Sequence, residues 1–244
     1  MAPGRRLLPA AAWEDMTTKI TGISSMAMRQ VLAELAADCA RGGGNEVVIE
    51  SVGGVDAARR VQGGAAFDFV VLASDAIDRL IASGHVVADS RVDLVRSPVA
   101  IAVRAGAPRP DVGSEAALRQ AVEAARSVGY STGPSGTHLA RLFDRWGIVE
   151  LIRDRIVQPP PGVAVGSLVA RGEVELGFQQ LSELMHLDGV AVVGTLPPEV
   201  GFITTFSAGL CTASAQADAV RAMLAFMTSP AADEAKRRHG MEPA

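Results

Sequence analysis

The chain switches repeatedly between two hydrophobic periods, and that alternation limits its fold more than any other feature. Short apolar runs at 19–23, 46–51, 67–73, 97–104, 128–131, 173–178 and 190–194 read as strands. Segments with helical spacing lie between most of them. In the first, 26–40, Met28, Val31, Leu32, Leu35, Ala36 and Cys39 share one face. Further helices are expected at 56–62, at 76–83 with Asp75 as cap, and at 115–125, 137–146, 163–171, 215–227 and 231–238. Strand–helix–strand units form parallel pairs with right-handed crossovers, so the fold class is α/β with mixed, mostly parallel sheets flanked by helices. In such sheets ligand loops gather at the carboxyl ends of the strands.

The 244 residues suffice for one large domain or two smaller ones. The extended segments near 97–104 and 202–212 read as paired crossings between two lobes. That reading assigns 17–98 plus 206–244 to the first lobe and 99–205 to the second. Hydrophobic content of 48% against 20% charged predicts a substantial core. The net charge of −4 gives no electrostatic basis for a nucleic-acid or acidic-membrane partner. One tyrosine, Tyr130, and two tryptophans, Trp13 and Trp146, supply no base-stacking or sugar platform. No apolar run approaches the roughly 18 residues of a spanning helix. Cys39 and Cys211 sit in apolar contexts and read as free thiols, without metal-ligand spacing. Residues 1–16 read as a disordered extension without a secretory pattern, Met16 as an alternative start, and the protein as cytoplasmic.

The segment from Tyr130 to Arg141 runs from a strand end through Ser131, Thr132, Gly133, Pro134, Ser135, Gly136 and Thr137 to His138 and a helix. Hydroxyls and backbone amides would converge there at the positive end of a helix, an arrangement that binds small anions. A small anionic ligand is the expected partner; no cofactor or metal is called for. Gly42-Gly43-Gly44 follows a helix instead of opening one and reads as a terminator.

Three segments also carry a resemblance. The stretch from Ser51 to Val71, the stretch from Val169 to Phe178 and the anion loop resemble, in order, molybdate-type solute-binding proteins. The likeness spans roughly 19–238 and implies the two-lobed type II periplasmic-binding architecture. It also implies a cleft walled by Ser24 and Ser25, by Gly53 and Gly54, by Thr132 to Gly136, by a loop containing Val163, and by Gln179 and Gln180 after a strand ending at Phe178. Such binders usually carry a serine in the second loop and a tyrosine after that strand; glycines and glutamines stand here. The departures imply a roomier pocket for an organic carboxylate. Aconitate isomerase is similar to the same superfamily and supplies an enzymatic analogy.

Two classes of function stay open. The first is an isomerase shifting a double bond in an unsaturated di- or tricarboxylate. The second is a non-catalytic receptor or sensor for a small anion. For the first, His138 beside the anion loop is the candidate proton carrier, because the helix end favours its neutral, basic form. Glu183 is an alternative base. Ser24, Ser25, Ser131, Thr132, Ser135 and Thr137 are the candidate anion donors, and Arg29 and Arg141 candidate partners for a longer ligand.

Overall fold

A computed structural model describes residues 19–41, 45–160 and 162–244. The expectations for residues 1–16 and for the triple-glycine terminator lie outside the described residues.

The elements follow in chain order. Strand β1 (Lys19–Ser25) leads through a 3-10 turn, Met26–Met28, into helix α1 (Arg29–Arg41). Then come β2 (Glu46–Val52), α2 (Gly54–Gln62), β3 (Phe69–Ala73) and α3 (Ser74–Ala82). A long β4 (Val92–Arg104) precedes α4 (Glu115–Ala124), β5 (Val128–Tyr130), α5 (Pro134–Arg145) and the short α6 (Val149–Ile152). Next are β6 (Ile156–Val157), α7 (Val165–Arg171), β7 (Leu176–Gln180), α8 (Leu181–Leu184) and β8 (Val190–Thr195). The chain closes with β9 (Ile203–Leu210), α9 (Ala217–Met227), α10 (Asp233–Arg238) and β10 (Glu242–Pro243).

The fold is a two-lobed α/β architecture. In one lobe β2, β1 and β3 are parallel, and β9 joins β3 in antiparallel fashion. In the other, β6, β5 and β7 are parallel. Strand β4 belongs to both. Its residues from Val92 to Pro98 pair with β9, and β10 covers Val95 and Arg96. From Val99 onward it pairs with β7 on one side and, from Ala100, with β8 on the other. The change of partners falls at Pro98, which has no N–H to give a ladder.

Each sheet is buried on both faces, which explains the uninterrupted apolar run of β3, where all five residues are buried. One face of the first sheet packs Met28, Leu32 and Leu35 of the first helical segment against Met223, Leu224 and Met227 of α9. The other face holds Ile77 and Leu80 of α3 with Ala57 and Val61 of α2. In the second lobe Phe143 of α5 is the hub. It meets Tyr130 and Phe178 edge-on, at centroid distances of 5.7 and 6.2 Å, and Trp146 at 5.9 Å.

Several boundaries differ from the sequence reading. Helix α3 starts at Ser74, so Asp75 lies in its first turn and pairs with Arg79 at 2.7 Å instead of capping. Helix α5 starts at Pro134, a residue suited to the first helical position, so Ser135 and Gly136 are helical. Strand β7 runs through Gln179 and Gln180, which are therefore buried strand residues and not loop residues. Helix α6, helix α8 and strand β10 escaped the pattern because each is too short to show a period. Cys39 and Cys211 are free thiols, and burial pushes the Cys211 thiol up to about 12.

Phe143→Ala is expected to cost about 3–5 kcal/mol, since it empties a site ringed by aromatic contacts. Equilibrium urea unfolding measures this, and a change under about 1 kcal/mol would contradict the packing described.

Candidate functional site

The carboxyl end of β1 places Ser24 and Ser25 beside the start of α2. Ser24 is fully buried, with its hydroxyl 2.9 Å from that of Ser51 and 3.3 Å from the Ser25 carbonyl. Gly53 precedes α2 and Gly54 is its first residue. A Cβ at Gly54 would stand 3.8 Å from the Ser25 hydroxyl. The first and second predicted loops therefore meet, and the missing side chain at position 54 leaves room next to Ser25. Ser24 is already engaged within the protein; Ser25 is the hydroxyl that faces this room.

In the second lobe the loop from Ser131 to Gly133 enters α5 tightly. The Gly133 amide donates to the Ser131 hydroxyl at 3.4 Å, and the Thr137 hydroxyl donates to the Gly133 carbonyl at 3.3 Å. Gly136 is required here: a Cβ would stand 1.5 Å from the Ser131 carbonyl oxygen. Ser135 and Gly136 are buried, whereas Thr132 and Thr137 are exposed. The amides of the first turn have no intrahelical acceptor. His138 turns toward the segment before β9. Its Nε2 lies 3.1 Å from the Val200 carbonyl, and its ring stacks on Phe202 at 4.6 Å between centroids. That ring ties the first turn of α5 to the crossing strand.

The end of β7 holds the densest set of buried polar groups. The Gly166 amide, in the first turn of α7, donates to Gln179 Oε1 at 2.8 Å. This fixes the orientation of the Gln179 amide, whose Nε2 donates to Glu183 Oε1 at 2.7 Å. Gln180 Nε2 donates to the Thr204 hydroxyl of β9 at 2.8 Å. Ser182 donates to the Ala27 carbonyl at 2.9 Å, so the first turn of α8 rests on the turn that follows Ser24 and Ser25. Gln180 Oε1 and the Ser97 hydroxyl, across the ladder from Thr204, are buried without a partner among the described residues. An orphaned buried polar atom costs about 1–3 kcal/mol unless something else bonds it.

Glu183 is half-buried, and burial pushes its carboxyl up to about 7, while the Gln179 hydrogen bond acts in the opposite direction. Besides β7, the elements packed on α8 include α7, β4, β8 and the Met26–Met28 turn. Their titratable side chains are Asp93, Arg96 and Arg104 of β4 and Arg171 of α7, the last paired with Glu173. Asp93 accepts from Ser207 and pairs with Arg91; Arg96 donates to the Pro243 carbonyl. The Arg104 guanidinium lies beside Gly172.

The structure thus forms three groups from the predicted residues: Ser24, Ser25, Gly53 and Gly54; Ser131 to His138; and Gln179 with Gln180, to which Glu183 belongs. Val163 joins none of them, and Arg29 and Arg141 are exposed. Cavities of about 470 and 210 Å³ lie elsewhere in the second lobe. One is lined by Ser114, Glu115 and Trp146, the other by Arg109, Pro110 and Glu175, with none of the loop residues. The candidate site is instead the set of loop ends and buried amides, where hydroxyl and amide groups gather at strand ends. Gly166, Ser182 and Thr204 escaped the sequence reading; only the polar run after Phe178 hints at them. Among the described residues no cluster of His, Cys, Asp and Glu is arranged to hold a metal ion, and no helix is long and apolar enough to cross a membrane.

Residues 20–242 match the family model described as bacterial extracellular solute-binding protein. The chain belongs to that family. It is 41% identical over 179 residues to an aconitate isomerase from a Pseudomonas species, covering 72% of this chain and 67% of that protein. Among solved structures it resembles the periplasmic molybdate-binding protein of Azotobacter vinelandii, with TM-score 0.77 and 18% identity over 92% of this chain and 99% of that one. The sulfate-binding protein of Mycobacterium tuberculosis gives 0.76 and 17%, over 93% of this chain and 87% of that one. These structural likenesses establish the shared fold.

Gly136→Ala is expected to open the loop from Ser131 to Gly133 and lower stability by about 1–3 kcal/mol; thermal unfolding measures it, and an unchanged Tm would contradict the close approach. A second expectation follows from Glu183. Its carboxyl holds a proton more tightly folded than unfolded, so its stabilising contribution is complete below about 4.5 and lost as pH rises through about 7. Glu183→Gln should therefore gain Tm relative to the unsubstituted protein between pH 5 and 8. A pH-independent difference between the two would show that Glu183 does not titrate in this range.

Proposed function

We propose that this protein binds a small organic carboxylate between its lobes and acts on it as an isomerase, shifting the double bond of an unsaturated di- or tricarboxylate. The relationship to an aconitate isomerase, at 41% identity over 179 residues, carries the reading. The site supports it in two ways. The space beside Ser25 at Gly54 suits a ligand larger than a tetrahedral oxyanion. At the end of β7 stand amides and a half-buried carboxyl, groups that suit an organic acid better than a compact inorganic anion. In this arrangement the first turn of α5 and the Ser25 hydroxyl hold carboxylates, using the amides that a helix start leaves free.

Proton NMR of trans-aconitate with the purified full chain in heavy water tests the reading. Conversion to the cis isomer with deuterium uptake is expected. Thermal shift separates the other outcomes, since a ligand at a hundredfold excess over Kd stabilises by about 2.7 kcal/mol. Stabilisation by tricarboxylates without turnover would leave a carboxylate receptor. Stabilisation by molybdate or sulfate alone would overturn the organic-acid reading altogether.

A further inference from the structure

We propose that Glu183 is the group that carries the proton in this isomerisation, with Gln179 as its positioning residue. The inference rests on the isomerase reading above. Three observations place Glu183 for the task. It follows β7 at the carboxyl end of the strand, where ligand loops of such sheets gather. Its neighbour Ser182 is bonded to Ala27, two residues beyond Ser25, so it lies at the junction of both lobes. Gln180, three residues before it, keeps a buried amide oxygen with no partner among the described residues, so the polar groups at this strand end are incompletely satisfied.

The orientation of Glu183 is fixed at one oxygen only. Gly166 sets the Gln179 amide, and that amide holds Glu183 Oε1. Among the described residues no hydrogen bond engages Oε2, and it is not one of the sealed unpartnered atoms. His138 has less freedom, because its Nε2 lies against the Val200 carbonyl and its ring against Phe202.

The step balances without a co-reactant. Glu183 Oε2 takes a proton from the methylene carbon of the substrate. The C–H electron pair forms the new double bond to the central carbon, while the old π pair moves to the former vinyl carbon and its carboxylate. The protonated Glu183 then gives its proton to that vinyl carbon. One C–H bond breaks, one forms, nothing is oxidised, and the carboxylate is regenerated.

The group must be ionised to start the cycle and neutral in mid-cycle, and a carboxyl at about 7 does both near neutral pH. The charged groups on the elements packed against α8 are Asp93, Arg96 and Arg104 on β4 and Arg171 on α7, with partners or neighbours elsewhere. Those of α10, which reaches α8 through Gly240, pair with Glu34, Asp233, Glu234 and Glu242.

The test compares Glu183→Gln, Glu183→Asp, Gln179→Leu and His138→Gln in the full chain, with trans-aconitate as substrate and its saturated analogue tricarballylate as binding probe. Glu183→Gln is expected to lose about 100-fold or more in kcat while still being stabilised by tricarballylate. In the unsubstituted protein kcat/KM should rise with pH through about 7, and Gln179→Leu should move that limb upward. Glu183→Gln keeping more than about a tenth of kcat would overturn the assignment while leaving the isomerase reading intact. Loss confined to His138→Gln would move the role to His138. If Glu183→Gln does not fold, the wild-type limb and Glu183→Asp decide, and a flat profile between about pH 6 and 8 overturns the assignment. Absence of turnover in the unsubstituted protein would overturn both readings together.

Discussion

The structure depends on one strand that serves two sheets. Over 13 residues β4 offers both of its edges twice, first to β9 and β10, then to β7 and β8. A strand interior leaves no choice about where its hydrogen bonds go, since each buried amide and carbonyl must be paired. The lobes are thus joined by backbone ladders and not by a flexible tether. Pro98 marks the exchange of partners. Beyond it the Val99 amide reaches the Phe202 carbonyl at 3.4 Å, and Val99 itself stands opposite Gln180. The end of β7 is therefore held at the crossing by register.

From that fixed point the polar groups of the site follow by close packing. Gly177 lets α7 approach β7, for a Cβ there would stand 2.4 Å from Val169. Gly166 lets α7 approach α8, for a Cβ there would stand 2.8 Å from both Leu184 and Leu187. With two side chains removed, the start of α7 comes within reach of the Gln179 amide. Glu183, whose Oε1 that amide holds, is itself desolvated, and its carboxyl rises accordingly. The orientation of the Gln179 amide at the end of β7, the floor of the candidate site, thus depends on a helix-to-strand distance set by glycines that carry no chemistry themselves.

These relations explain what was legible in the sequence. Strand–helix alternation revealed the parallel cores because β3 and α1 present enough residues to show a period. The loops near Ser25, Gly54 and Ser131 were legible because glycine and hydroxyl residues cluster at turns for local reasons. Glu183 stood out in the sequence only as an alternative base just past Gln179 and Gln180, since the burial that raises its carboxyl is not local to the sequence. The strand assignment of Gln179 and Gln180 was hidden for a similar reason. Two polar residues end an apolar run in the sequence, yet tertiary pairing with Val99 and Ala100 extends the strand through them. His138 was placed correctly on its helix, but its commitment to Val200 and Phe202 arises across the crossing strand.

The electrostatics of the floor bear on whether the ligand is held or converted. A receptor for an anion gains from amides and hydroxyls and loses from a carboxylate nearby, because like charges in a site with little water repel strongly. Retaining Glu183 there, with the oriented Gln179 amide favouring its charged form against burial, works against simple retention of an anion. The opposing influences hold the group near equal readiness to give and take a proton. A bound anion would raise the carboxyl further, so proton abstraction in the complex needs a higher pH than ionisation of the free group. The residue that would weaken binding in a receptor is, under the proposed function, the residue that an allylic isomerase requires.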